Sequence, residues 1–326
     1  MRIEKIYVYP VKALRAVEVN DSIVTKHGFP SDRRFMLLHV DKDKDGSTIY
    51  KNIHVALYPE SILFHPSLDT NADLIRIDFK PPSGREHKTL HFPLQPVIED
   101  LQPIPIEMHL SEVHAYKMPQ KYSDWFSSCY GFEVALVYLG PHYRATRMTT
   151  APIPSKPTGW LSTITATATS YLPFPSNQKN PTTTTTNLLT FNDCAPYLVC
   201  SSKSMEDVTS RLSSDQENLD IQKFRPNILV SGAEKAWDED FWSQITISGQ
   251  TKIECIHNCG RCQSINIDYT TGKLGEKESG QVLKKLQRDR RVDVGMKYSP
   301  IFGRYSFLNP SLVSLFLLSS CERDHC

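Results

Sequence analysis

Neither sign of charge dominates this sequence, in which 37 Lys and Arg stand against 36 Asp and Glu and leave a formal net charge of +1. That balance argues against a nucleic acid or an anionic membrane as the main partner, because such surfaces select for a basic face. No second Cys-x-x-Cys accompanies Cys259-Gly260-Arg261-Cys262, and no His-x3–5-His follows it at zinc-finger distance. The four-ligand set of a structural zinc site is therefore not spelled out. There is no GxGxxG fingerprint on a βαβ unit and no haem or iron–sulfur ligation pattern. The apolar run Ser311–Leu318 is far too short to span a membrane. Nothing ahead of Arg2–Ile6 reads as a signal or transit peptide, because the first strand begins at once. Eight cysteines at irregular spacing in 326 residues fit reduced thiols and a cytoplasmic protein better than a disulfide scaffold.

What is present is a β-rich chain long enough for two domains. Ile3–Tyr9, Phe35–Val40, Ile104–Met108, Val134–Leu139, Ile228–Val230, Gln244–Ser248 and Lys252–Ile256 read as short strands between turn residues. Three helices are expected: one capped by Ser123 and stopped by Gly131, one opened by a Ser204/Asp207 capping box, and one carrying Val282, Leu283 and Leu286 on one face. The fold class is α+β, mostly β. From Thr149 to Asn187 prolines and threonines prevail, with an Ile164-Thr165-Ala166-Thr167 run that could add an edge strand. This composition buries too little apolar surface to offset ordering entropy and reads as a disordered linker. Asp41-Lys42-Asp43-Lys44-Asp45-Gly46 has the opening of a calcium loop, but its twelfth position is Asn52, and a charged hairpin turn is the better reading.

Cys262 is the strongest candidate site residue. It closes His257-Asn258-Cys259-Gly260-Arg261-Cys262, where a guanidinium and nearby backbone amides favour a thiolate. Spacing alone leaves three readings open: half of a zinc site, a dithiol pair, or two packed thiols.

Context points further. Tyr9-Pro10-Val11-Lys12, Gly28, Asp32-Arg33-Arg34-Phe35-Met36-Leu37, Phe224-Arg225-Pro226-Asn227-Ile228 and Ser299-Pro300-Ile301-Phe302-Gly303-Arg304-Tyr305 occur in this order around Cys262. Together they resemble the MOSC-domain proteins with an N-terminal β-barrel domain, and most of all the mitochondrial amidoxime-reducing component group. The resemblance covers about residues 1–143 and 187–308. It implies a β-barrel-like domain over 1–143, a linker over 144–186, a MOSC β-barrel domain over 187–310 and an atypical tail over 311–326, with a cofactor cleft between the domains.

By that resemblance the cofactor is the molybdenum cofactor, a molybdenum held by one pyranopterin dithiolene, and Cys262 is its protein ligand and the catalytic residue. Lys12 and Arg33 match residues that approach the pterin phosphate, and Arg225 with Asn227 match the pair that binds the pterin; Arg forks and Asn amides suit such edges. Ala13, Cys194, Ala195 and Arg261 complete the implied cofactor contacts. The implied reaction is two-electron reduction of amidoximes, hydroxylamines and similar N-hydroxylated compounds, oxygen leaving as water while the metal cycles between +4 and +6. The implied electron donors are a b-type cytochrome and its NADH-dependent flavin reductase. The membrane anchor of the animal mitochondrial relatives is not expected, although association with the mitochondrial surface remains compatible. Pyridoxal phosphate accompanies related MOSC domains of cofactor sulfurases, but no desulfurase domain is read here.

The sequence departs from the family pattern in three places. Its Asp-Thr/Ser-Ser-Pro loop is Asp193-Cys194-Ala195-Pro196, its Lys-Ser pair is Lys12-Ala13, and its Arg-Gln is Lys51-Asn52. Each lost neutral hydrogen bond costs about 0.5–1.5 kcal/mol, enough together to weaken cofactor binding tenfold or more. A non-catalytic cofactor carrier therefore stands beside the enzyme reading, as does a zinc or dithiol protein. The family's last strand, rich in Gly and Val, is replaced by Ser311–Leu318, which could close the barrel or leave an exposed edge. Cys321-x4-Cys326 resembles the start of a plant-type ferredoxin motif without the cysteines that must follow.

Overall fold

The computed structural model describes residues 1–146, 187–212, 219–247, 249–309 and 316–319. The Pro/Thr-rich stretch with its Ile164 run, and Cys321 with Cys326, lie outside the described residues. All seven expected strands are present within one or two residues at most ends, the longest extending from Thr251 to Gly260. The chain is mostly β.

In the amino-terminal half, a five-stranded sheet is ordered Thr48–Asn52, Phe35–Lys42, Val134–Tyr138, Ser111–Lys117, Pro103–Met108. With the three-stranded sheet Phe64–Asp69, Leu74–Phe79, Lys88–Pro93 it forms a nearly closed barrel. Phe35, Leu37, Phe64, Ile75, Ile77, Phe92 and Leu136 fill it, all at 1% exposure or less. The helix Gln120–Tyr130 lays Phe126 and Cys129 on that core and ends where Gly131 takes a left-handed φ of 83°. Its cap position is Pro119, four residues ahead of the expected Ser123, because Ser123 turns inward and provides no cap; its Oγ accepts from Leu136 N at 3.1 Å. The charged hairpin turn at Asp43–Ser47 is as expected, with Gly46 N bonded to Asp43 O.

The other half is built on a seven-stranded sheet: Gln244–Ile247, Thr251–Gly260, Ile301–Leu308, Tyr197–Ser201, Ile228–Ser231, Arg2–Val8, Val17–Val19. Its first strand in sequence, Arg2–Val8, thus belongs to the sheet of the second domain, pairing Ile6 opposite Ile228. The reason is apolar: Ile6 and Val8 pack with Val199, Ile228 and Val230. The helix Ser202–Ser210 crosses between the parallel pair Tyr197–Ser201 and Ile228–Ser231. Its cap is Ser201, whose side chain accepts from Lys203 N; the expected Ser204 is fully buried inside it and donates to Glu239 instead. Val282–Leu286 forms the third expected helix, with Val282, Leu283 and Leu286 buried.

Two segments depart from the expected boundaries. Arg144–Ala145, which the resemblance places in the linker, pairs with Leu188–Leu189. Phe316–Ser319 neither closes the large sheet nor stands free; it pairs antiparallel with Asp21–Val24, and Leu318 is buried against the core of the large sheet.

Candidate functional site

The antiparallel pairing of Arg2–Val8 with Ile228–Ser231 brings the residues that leave one strand to those that enter the other. Tyr9–Lys12 therefore lies beside Arg225–Asn227: Tyr9 Oη donates to Pro226 O at 3.1 Å, and Tyr7 N donates to Asn227 O at 2.9 Å. The chain then crosses into the barrel, where Lys12 N donates to Phe35 O and Arg33 N to Tyr9 O. Lys12, Arg33 and Arg225, far apart in sequence, come together at one cavity of about 690 Å³ between the two halves. Ala13, Ala195, Asn227, Arg261 and Cys262 also line it, as do Lys51 and Asn52. Cys194 lies beside it but does not line it.

Tyr9 is the hub of the cationic wall. Fully buried, its ring lies 4.4 Å from the Arg33 guanidinium and 4.3 Å from that of Arg225, each distance that of a cation–π contact. Burial holds the Tyr9 phenol well above its ordinary value although both guanidiniums act against it, so the ring stays neutral. Arg33 and Arg225 sit at φ of 51° and 56°, left-handed backbone that turns each side chain off its strand direction. Asp32 pairs with Arg33 and also accepts from Tyr9 N at 2.8 Å. Arg225 Nη1 donates to Leu14 O at 2.9 Å.

Lys12 is buried, pairs with Asp193 and donates to Phe191 O at 3.0 Å. His109 Nε2 lies 3.1 Å from the same Asp193 oxygen. Burial opposes ionisation of Asp193, yet Lys12 and His109 hold its carboxyl well below the usual carboxylate range. His54 also lines the cavity, and burial with the nearby Lys12 lowers its imidazole from the ordinary value.

Two of the expected cofactor contacts, Arg261 and Asn227, line the cavity with side chains that also hydrogen-bond within the protein. Arg261 is buried, with Nε donating to Phe302 O at 2.9 Å and Nη1 to Phe224 O at 2.7 Å, so its guanidinium pins two backbone segments and is not spent on Cys262. Gly303, at φ 83°, gives it room: a Cβ there would lie 2.6 Å from Cys200 Sγ and 3.3 Å from Arg261 Nη2. Asn227, 1% exposed, accepts from Leu198 N and Arg33 Nη1 and donates to Tyr7 O. Its amide clamps the sheet at the cavity wall.

The cysteines separate by exposure. Of the six described, Cys262 is exposed, Cys194 is half-buried and the other four are buried. Burial raises the thiols of Cys129, Cys200, Cys255 and Cys259, and pushes Cys194 up to about 11. Cys262 Sγ stands 3.2 Å from Ser264 Oγ on the cavity wall. Among the described residues no group of three or more His, Cys, Asp or Glu is placed to hold a metal ion, so a zinc staple finds no ligand set there. Cys259 and Cys262 are both free thiols, one buried and one open.

Family comparison agrees with this layout. Residues 1–133 match the MOSC N-terminal beta barrel domain, and residues 187–314 match the MOSC domain. The chain belongs to the MOSC-domain family. It is 35% identical over 129 residues to the mitochondrial amidoxime-reducing component 1 of Danio rerio, covering 40% of this chain and 37% of that one. The protein of the same name from Mus musculus is 24% identical over 318 residues, 95% of this chain and 79% of that one. Molybdenum cofactor sulfurase of Emericella nidulans is 24% identical over 344 residues, 92% of this chain but 38% of that one. The chain thus spans about a third of the length of the first curated relatives it matches. Among the described residues of this MOSC protein no helix is long and apolar enough to cross a membrane.

Tyr9, His54, His109 and Lys223 are cavity residues or supports that sequence reading missed. Tyr9 was visible as part of the Tyr9-Pro10-Val11-Lys12 motif. No spacing signal marks the two histidines or Lys223.

Proposed function

We propose that this chain is a molybdenum-cofactor-dependent oxidoreductase that reduces N-hydroxylated compounds such as amidoximes and hydroxylamines, with the cofactor in the interdomain cavity. The observation that carries this reading is the exposed Cys262 thiol on the wall of a cavity that Lys12, Arg33 and Arg225 also line. The donor set fits the group: a soft sulfur suits molybdenum, and clustered Lys and Arg suit a phosphate-bearing pterin. When bound, the molybdenum cofactor supplies a two-electron redox centre.

The chain's own residues account for binding and orientation. Cys262 would be the metal ligand, and Arg33 and Arg225, held against Tyr9, would present planar donors to the anionic part. Asp193 and Phe191 hold the Lys12 ammonium at the cavity. Arg261 and Asn227 act as positioning residues, fixing the strand ends that carry Cys262 and Arg225. Electrons would come from a b-type cytochrome and its NADH-dependent flavin reductase, small N-hydroxylated molecules being the substrates. A second reading, a carrier of the cofactor, is favoured by Ala13 and Ala195, which line the cavity without a hydroxyl.

Metal analysis and turnover of the purified chain test both. About one molybdenum per chain with reduction of benzamidoxime by an artificial donor supports the oxidoreductase. Molybdenum without turnover leaves the carrier, and zinc in its place rejects both.

A further inference from the structure

The cations of the interdomain cavity are paired, with one exception. Lys12 meets Asp193, Arg33 meets Asp32, Lys51 meets Asp41, and Arg225 donates to Leu14 O. Lys223 lines the same cavity and is 7% exposed, yet among the described residues its ammonium has neither an ion pair nor a hydrogen bond. Its Nζ lies 5.8 Å from the Tyr269 ring centroid, a cation–π contact at the long end of the range that supplies no hydrogen-bond acceptor. A buried ammonium without a partner is unfavourable, and proteins normally pair or expose one. Burial lowers its pKa, with the more distant Asp268 and Asp220 acting in the opposite sense.

Position adds a second argument. The turn Ile221–Phe224 that carries Lys223 packs against Gln263–Asn266, the turn that follows Cys262. Lys223 also lines a neighbouring cavity of about 840 Å³, so it stands where the two spaces meet. A ligand in either space can meet this ammonium.

We propose that Lys223 recognises the oxyanion, a carboxylate or a phosphate, of an anionic substrate that enters the interdomain cavity. The lysine supplies one compact positive charge, and such a charge binds either oxyanion. The assignment to substrate rests on the oxidoreductase reading; the assignment to an oxyanion does not. It makes Lys223 a specificity residue, selecting charged N-hydroxylated compounds over neutral ones.

The full chain and its Lys223→Met and Lys223→Arg variants are titrated calorimetrically with inorganic phosphate and, in parallel, with acetate. The stronger of the two ions should bind Lys223→Met at least tenfold more weakly than wild type, and Lys223→Arg within about threefold of it. Equal affinity of wild type and Lys223→Met for both ions overturns the proposal. If the methionine variant does not fold, Lys223→Gln takes its place with the same expectation. Molybdenum retained per chain should be unchanged in the variant; a loss would assign the lysine to the cofactor's phosphate and overturn the substrate assignment. With turnover, KM for a carboxylate-bearing amidoxime should rise at least tenfold in Lys223→Met while KM for benzamidoxime stays put. Equal effects on both substrates also overturn it. A chain that shows the ion dependence without any turnover sinks the oxidoreductase reading and leaves the oxyanion site.

Discussion

Cys259 and Cys262 stand in opposite environments three residues apart. Cys259 is 3% exposed and packs in the core of the second domain, whereas Cys262 is exposed on the cavity wall with its sulfur 3.2 Å from Ser264 Oγ. Extension of the strand to Gly260 and the turn that begins after Cys262 separate the two thiols. Both residues border the cavity, but a metal ligand must present an exposed sulfur to it, and of the two Cys262 is the exposed one.

This asymmetry predicts unequal substitutions. Cys262→Ala should abolish bound molybdenum and N-hydroxy reduction, and Cys262→Ser should do little better, since a hard, less acidic oxygen replaces thiolate poorly on this metal. Cys259→Ala should keep both and cost about 1–2 kcal/mol of stability through packing. Molybdenum content and urea unfolding of the single variants check this; equal loss of metal in both would overturn the assignment to Cys262.

Arg225→Lys should weaken cofactor retention while the protein stays folded. The lysine keeps the charge but loses the planar donor and much of the contact with Tyr9, worth about 0.5–2 kcal/mol. Dialysis followed by metal analysis reads the effect, and retention equal to wild type would count against a phosphate or pterin contact for Arg225.

Restoring a family hydroxyl should act in the other direction. Ala195→Ser, at the cavity wall, can supply a donor worth about 0.5–1.5 kcal/mol, an increase of up to roughly tenfold in retained cofactor under the same dialysis. No increase in Ala195→Ser, or in Ala13→Ser beside Lys12, would show that the lost hydroxyls are not what limits binding.

Glu239 should make stability depend on pH. It is fully buried with Oε1 unpartnered, and burial, partly offset by the Ser204 hydrogen bond, raises its carboxyl to about 7. The folded chain keeps a proton that the unfolded chain releases near the ordinary value of 4.5, so this group's stabilisation is lost as pH rises from about 4.5 to about 7. The whole effect is about 3 kcal/mol. Glu239→Gln should flatten that slope, as urea unfolding at pH 5 and pH 8 would show; an unchanged slope would locate the dependence elsewhere.

Gly303→Ala should destabilise by about 2–4 kcal/mol, because φ is left-handed and the new Cβ meets Cys200 Sγ and Val199 O. The same clash would push on Arg261, so loss of metal binding should accompany the drop in melting temperature. A variant as stable as wild type would mean that the strand Ile301–Leu308 shifts freely.

The sequence alone determined what neighbours along the chain decide. Seven strands followed from alternating or short apolar runs, Gly131 ended its helix because only glycine adopts that backbone cheaply, and Asp43–Ser47 turned because of its Asp and Gly. The motifs around Lys12, Arg33, Arg225 and Cys262 were legible as a family pattern. Ser123 and Ser204 show where local reading failed: each carries a good cap residue's chemistry, but burial turned its hydroxyl to another partner. Only the tertiary structure placed Arg2–Val8 in the sheet of the second domain, gave Arg261 and Asn227 their partners within the protein, and left Lys223 buried with no ion pair or hydrogen bond among the described residues. These outcomes depend on contacts between segments up to some two hundred residues apart. Which polar group takes which partner there is decided by packing, and no local pattern encodes that competition.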